Sequence, residues 1–544
     1  MLRARSRRAR LLGFCLGAVL LAGCRISPSS LAARISPARG GSVTEAIVGV
    51  PGMLNPLLAQ DASAHDIDRL IYQGLTSVDG QQRPRPLLAS GWTLSPDRLT
   101  YTFTLRPGVR WADGRPLLVE DVLFTFEVLQ DPTYAQGADP WQSIKVARAG
   151  RDRVSFTLKA PSVSFPFLLT IGIIPAHAFR SGRPADVARD PHSGAQAFGT
   201  GPFMVQSISA DHRTVTLRRN PYGSPAPYLD HFVFHAYPTL SGALNAVIDG
   251  EADAVGGVQP PQLPAVANRG DLAVHEQRTF AQMAVFLDLS PLSSGYFGVP
   301  QVRQALNRAI DRRAIIGAVL DGHADVATGP IPPTNWAYSP RAAAALSHDR
   351  AAAARGLDAE GWRLPVRGSV RERAGKSFEV TLVTPDAYPY REVAEQVHRQ
   401  LAAIGVRVVL DKVPSSILVG RYLIPREYQM ALTQLDSGPD ADQSAFWHSG
   451  ASGGGLNFTP VPRQALIDKD LEDAEAATTR AARMPIYDDF QRLLAQAAPA
   501  IYIYEPHYLY VVNTRVHGVR MNRVVEPVDR FRDVARWYVV STGG

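Results

Sequence analysis

A chain of 544 residues is too long for one hydrophobic core, since single cores stop growing near roughly 250 to 300 residues, so two or three domains are expected. Its 45% apolar and 20% charged residues are those of an ordinary folded protein, and its 2 Cys exclude a disulfide-stapled scaffold. The net charge of +7 weakens any nucleic-acid reading: five of those charges are Arg3, Arg5, Arg7, Arg8 and Arg10, and the remainder of the chain carries only +2.

Those arginines form the positive start of an export segment. Leu11 to Gly23 is an apolar run, too short for a spanning helix that needs about 20 residues, and residues 1–23 contain no acid. The run ends in Leu21-Ala22-Gly23-Cys24, which resembles a bacterial lipobox; Cys24 would be diacylated and become the first residue, two acyl chains giving a stable anchor. The alternative is a plain signal peptide with a chance Cys. Ser6-Arg7-Arg8 resembles part of a twin-arginine signal, but Arg10 stands where that motif prefers an aromatic, so Sec export is favoured. Cys15 lies in the discarded segment, which leaves the mature body without disulfide or thiol chemistry.

Residues 25–40, rich in Ser, Pro, Ala and Arg, read as a flexible tether. Val43 to Val50 reads as a strand. After Leu54-Asn55-Pro56-Leu57, a helix carries Ile67, Leu70, Ile71 and Leu75 at helical spacing, with Asp66 and Asp68 read as suiting its dipole and needing no further role. Tyr101-Thr102-Phe103-Thr104-Leu105-Arg106 alternates at period two, a half-buried strand. A Pro107-Gly108 turn, Trp111-Ala112-Asp113-Gly114 and a helix starting at Glu120-Asp121-Val122 follow. Val154 to Leu158 is a strand, and Phe165-Pro166-Phe167 a turn. His177, in Pro175-Ala176-His177, is read as structural rather than as a catalytic or metal residue.

Gly199-Thr200-Gly201-Pro202-Phe203 leads into strands at Val215 to Tyr222 and Phe232 to Tyr237, then a helix from Ser241 to Asp249 and Gly250-Glu251-Ala252-Asp253. Val299 to Arg312 reads as one amphipathic helix, with Val302, Ala305, Leu306, Ala309 and Ile310 on the apolar face. Arg303, Arg308 and Arg312 lie off that face, as a phosphate contact or, in preference, a solvated or salt-bridged surface. Residues 341–362 are Ala-rich and helical, ending at Gly361-Trp362. Strand Phe378 to Thr384, helix Arg391 to Ile404 and strand Gly405 to Leu410 make a β-α-β unit and argue for a parallel sheet. Helices Gln464 to Ala476 and Ile486 to Ala497 and a strand from Ile501 to Pro506 complete the chain.

In order, the strand–turn–Trp-x-Asp-Gly–helix stretch, Asn55-Pro56 with Tyr72-Gln73-Gly74-Leu75-Thr76, the Gly-Thr-Gly-Pro-Phe element and the Val299–Arg312 helix resemble the signature of the extracytoplasmic solute-binding proteins of peptide and nickel ABC importers, family 5. That resemblance implies an α/β, periplasmic-binding-protein-like type II fold, with two lobes joined by a hinge plus an extra α+β domain. Lobe I would comprise 42–75, 200–283 and 504–541, the extra domain 76–199 and lobe II 284–503, after the leader 1–23 and tether 24–41. It implies a monomeric extracytoplasmic lipoprotein that captures peptides and delivers them to permease subunits driven by ATPases. A non-peptide ligand such as a metal chelate, opine or sugar, and a non-transport receptor or chaperone role, are the alternatives.

Gly438-Pro439-Asp440-Ala441-Asp442-Gln443 and Phe446-Trp447-His448-Ser449 are similar to the family's ligand region. There a carboxylate just before the segment pairs a peptide's amino terminus, which implicates Asp436; an unpaired buried ammonium costs several kcal/mol. Asp440 and Asp442 are ligand contacts or turn caps, Trp447 is a further candidate, and Tyr502 and Tyr504 line the cleft or pack. Two departures weigh on a dipeptide-like pocket: Gln434 and Leu435 stand where a Trp is usual, and Ala441 and Gln443 replace the second and third Pro of the family pattern. Asn457-Phe458-Thr459 matches a glycosylation sequon, read as idle. His275-Glu276 begins like a zinc-protease motif, but Thr279 takes the place of the second His. No enzyme, cofactor, metal or nucleic-acid function is expected.

Overall fold

The computed structural model describes residues 37–132, 140–179, 183–290, 293–344, 347–450, 463–521 and 526–540. The leader, Cys24, most of the tether and the 457–459 sequon lie outside the described residues. Among the described residues twelve strands form one mixed sheet that runs through both lobes. Its lobe II end is ordered Arg407–Val413, Glu379–Pro385, Met430–Asp436, Ala281–Leu287, and its lobe I end Ala254–Gly256, Ser42–Val48, His231–Tyr237, Thr214–Arg219, Phe203–Ile208.

Between the two ends lies one long strand, Ala500–Asn513. Its first half pairs with Ala281–Leu287 and Ala324–Val326 of lobe II, and its second half with Leu272–Arg278 and Ala254–Gly256 of lobe I. The chain crosses between lobes a second time at Thr279-Phe280, where Leu272–Arg278 ends and Ala281–Leu287 begins. The position 283/284 falls within Ala281–Leu287, and 503/504 within the long strand that both lobes share. The β-α-β unit is present: Glu379–Pro385 pairs in parallel with Arg407–Val413, joined by the helix Tyr390–Ala402.

The extra domain carries a four-stranded antiparallel sheet ordered Ala89–Leu94, Thr100–Leu105, Arg153–Thr157, Lys145–Arg148. Tyr101, Phe103 and Leu105 are buried and their neighbours half-buried, as the alternation predicts. Trp111 is fully buried, and its indole N–H donates to Asp121 Oδ2 at 3.1 Å. Asp121 also accepts from the backbone of Leu118 at 2.8 Å and Ala176 at 2.9 Å, so one carboxylate ties the turn to the helix Val119–Gln130 and to the following chain. His177 pairs with Asp113 at 2.8 Å and packs on Trp111 and Phe198.

The first helix is Ala62–Ile71, capped by Asp61, whose carboxylate accepts from Ala64 N. This moves Asp66 and Asp68 from the helix start to its middle, and it overturns their reading as dipole residues without a further role. Asp66 receives the buried guanidinium of Arg530 at 2.9 Å, and Arg530 also donates to Glu45 at 3.0 Å. Gly199 and Gly201 pack on the end of this helix; a Cβ on Gly199 would stand 2.1 Å from Ile71 O. That close approach is the reason for glycine in this element.

The Val299–Arg312 stretch is two helices, Pro300–Ala309 and Arg312–Leu320, separated by an extended Ile310, because Asp311 caps the second one by accepting from Ala314 N at 3.0 Å. Arg303 and Arg312 do not form a solvated face. Each is buried, and their guanidiniums donate to backbone carbonyls of Ala497, Phe297, Ala327 and Tyr502 and to the Asn307 amide. Burial without a carboxylate partner pulls both down to about 10. The Ala-rich segment likewise breaks into Pro340–Ala344 and Arg350–Ala359.

One hydrophobic core joins lobe I to the extra domain, running from Val43, Leu70 and Phe232 to Phe103, Trp111 and Phe156. Lobe II has its own two cores on opposite faces of its sheet. Lobe I and the extra domain are thus one packed body, and lobe II is another.

Candidate functional site

Among the expected site residues, Asp436 stands where the two lobes face each other. It ends the strand Met430–Asp436, beside Ala281 and directly after the chain crossing, and its carboxylate accepts from Gly438 N at 2.9 Å. Across from it lie Glu526 and Asp529 of the C-terminal segment of lobe I. The surrounding protein raises the Asp436 carboxyl above its ordinary value, and the negative charge of Asp529 raises it further. Glu526, exposed at its surface, is raised by the protein packed around it, then by Asp529 and Asp436, against a lowering by Arg69. Asp529 pairs with Arg69 at 3.4 Å and Arg532 at 3.0 Å, both from lobe I. Three carboxyls thus face one another from both lobes, and among the described residues the cations seen to pair with them, Arg69 and Arg532, belong to lobe I. Such a site holds added positive charge well.

The structure does not bring the other expected residues to Asp436. Asp440 is buried, and both its oxygens bond the guanidinium of Arg483, at 3.0 and 2.8 Å; it also accepts from Ser164 of the extra domain. Asp442 caps a turn by accepting from Ser444 N at 2.9 Å and Ser444 Oγ at 2.6 Å. Trp447 is 1% exposed and packs on Phe286 and Tyr502 inside lobe II, not at the cleft. Tyr502 and Tyr504 are also buried. They do not share a face as strict alternation requires: Met283 pairs with Tyr504 while Ala284 pairs with Tyr502, a bulge at Ile503 that sends the two rings into different lobe II cores.

Sequence reasoning missed several charged groups. Arg69, Glu526 and Asp529 lie far from Asp436 in the chain and carry no motif. Glu505, on the long strand at the crossing, is 1% exposed; burial, then the facing Asp325, pushes it up to about 9 against a lowering contact from Gln282. Cavities of about 650 and 400 Å³ adjoin at Arg480, on lobe II and its seam with the extra domain. Among the described residues no helix is long and apolar enough to cross a membrane.

Residues 83–457 match the family model "Bacterial extracellular solute-binding proteins, family 5 Middle". The chain is 25% identical over 545 residues to the oligopeptide-binding protein AppA of Bacillus subtilis, covering 96% of this chain and 97% of that protein. The solved structure of AppA from Bacillus subtilis in complex with a nonapeptide superimposes with a TM-score of 0.75 at 23% identity, over 93% of this chain and 100% of that one. NikZ from Campylobacter jejuni in complex with Ni(L-His) gives 0.74 at 21% identity, over 91% and 99%.

Proposed function

Because the chain belongs to the bacterial extracellular solute-binding proteins of family 5, a family of binding proteins rather than enzymes, we propose that it captures peptides between its two lobes for an ABC importer. The observation that carries this reading is the convergence of Asp436 with Glu526 and Asp529 across the lobes. An ammonium placed there lowers the repulsion among the three carboxyls and forms charge-assisted hydrogen bonds, so a peptide amino terminus on Asp436 holds both lobes together. Ligand binding then selects the closed state about the strands that cross near residues 280 and 506. Lipidation at Cys24 keeps the protein at the membrane, where the loaded form docks on permease subunits.

Native mass spectrometry of the purified protein, followed by denaturation and identification of the released ligand, tests this. Short peptides in stoichiometric amount are expected. An Asp436→Asn variant loses a charge-assisted bond worth about 1.5 to 3 kcal/mol, which is a ten- to hundredfold loss of affinity. Recovery of a metal chelate, an opine or a sugar overturns the peptide assignment, and unchanged affinity in the variant overturns the role of Asp436.

A further inference from the structure

Lobe II meets the extra domain along a seam made of polar contacts. Gln82 donates to Thr334 O at 2.7 Å, Arg98 to Ala476 O at 2.6 Å, and Val163 N to Glu475 O at 3.1 Å. At the centre of the seam Ser162 and Ser164 reach into a buried ionic cluster of lobe II. Ser162 Oγ donates to Glu475 Oε2 at 2.8 Å; Ser164 Oγ contacts both Glu475 Oε1 at 2.7 Å and Asp440. Arg483, 4% exposed, bonds Asp440, Glu475 at 2.9 Å and the Tyr487 hydroxyl at 2.8 Å.

Two features of this cluster call for a proton. One is charge: Asp440, Asp442 and Glu475 gather around a single contacting guanidinium, that of Arg483. Of the other cations nearby among the described residues, Arg480 spends its guanidinium on the carbonyls of Gln81 and Gln82 and Arg83 lines the adjoining cavity, while Tyr101 and Tyr487 add no charge. The other is donor count. The Ser164 hydroxyl has one hydrogen and lies against two carboxyl oxygens, so the second contact is a hydrogen bond only if a carboxyl is protonated. We propose that the cluster is a proton-operated latch: with Glu475 protonated, the extra domain docks on lobe II, and loss of that proton loosens the docking and favours the open cleft.

The electrostatics agree. Burial, then the charges of Asp442 and Asp440, lift Glu475 to about 7 against the pull of Arg483 and Ser164, and burial raises Asp442 as well. Undocking withdraws the extra domain, returns water to Glu475 and so lowers it by the burial contribution, while Asp440 and Asp442 stay beside it. A group raised in the docked state contributes docking stability that is complete below the undocked value and is lost as pH rises through about 7. The odds of the docked form therefore fall on the order of tenfold between pH 5.5 and pH 8.5. The cavity of about 400 Å³ that Asp440 and Arg483 line gives the cluster a route to solvent. None of this depends on which solute the cleft takes.

Small-angle scattering of the full chain without added ligand, at constant ionic strength and pH 5.5, 7.0 and 8.5, reads the latch as a radius of gyration. The parent protein is expected to expand as pH rises, and Glu475→Gln, which fixes the neutral side chain, to stay contracted at all three values. Ser164→Ala, which leaves the lobe II cluster whole, is expected to be expanded throughout. A parent radius that does not change with pH overturns the proposal, as does parental pH dependence in Glu475→Gln or parental contraction in Ser164→Ala.

Discussion

Replacing Arg530 by Met probes the most deeply buried ion cluster of lobe I. Arg530 is 3% exposed, Glu45 0% and Asp66 9%, and the guanidinium bonds both carboxylates while stacking 4.0 Å above the Phe531 ring. Tyr510 adds a bond to Glu45 at 2.7 Å, so the cluster fastens the first strand, the first helix, the long crossing strand and the C-terminal segment together. Arg530→Met keeps the aliphatic bulk but leaves two buried carboxyls without a cation, a change that costs about 3 to 5 kcal/mol. For a body of this size each kcal/mol moves the melting temperature by about 2 to 4 °C, so a fall of about 10 °C is expected by scanning calorimetry at pH 7. Even with Arg530 present, burial holds Glu45 at about 7. Without it the native carboxyls rise further, and a raised native value means stability present at low pH and lost as pH rises, so the deficit narrows toward pH 5 and widens toward pH 8. The triple variant Glu45→Gln, Asp66→Asn, Arg530→Met removes every charge and is expected to recover most of the loss. An Arg530→Met protein melting within about 2 °C of the parent, or a triple variant melting below the single one, refutes the reasoning.

Glu505→Gln is expected to stabilise the protein. The parent carboxyl, at about 9 in the fold against an ordinary 4.5, favours the unfolded chain at pH 7 by roughly 3 kcal/mol. The gain in denaturant midpoint should grow from pH 4.5 to pH 9 and level off above, and a gain independent of pH contradicts the assignment. Gly199→Ala forces a Cβ against Ile71 O and is expected to cost about 1 to 3 kcal/mol or more, read as a melting point lower by several degrees. A Gly199→Ala protein as stable as the parent shows that the helix end yields.

Local periodicity and turn chemistry suffice for many of the elements, though not for the strands Leu272–Arg278, Ala281–Leu287 and Met430–Asp436 of the large sheet. Tyr101, Phe103 and Leu105 announce their buried face, the Glu379–Pro385 and Arg407–Val413 strands announce a parallel unit by the helix between them, and Gln464–Ala476 begins and ends where its pattern does. Two of the readings failed through a change at a single position. Asp311 starts a new helix in the middle of an amphipathic run, and the bulge at Ile503 turns Tyr504 away from the face of Tyr502. Neither effect has a period.

The sequence by itself determined many of the strands and helices and, through the order of its motifs, the resemblance that implies the two-lobed fold, because these follow from patterns between near neighbours and from motif order. Only the tertiary structure decided what the charged residues do. Asp66 meets Arg530 across 464 positions of chain and Asp440 meets Ser164 across 276, and Arg303 finds carbonyl oxygens where an arginine on a helix suggests solvent. A charge takes its role from whatever the folded chain brings within a few ångströms of it, and burial then sets whether it stays ionised.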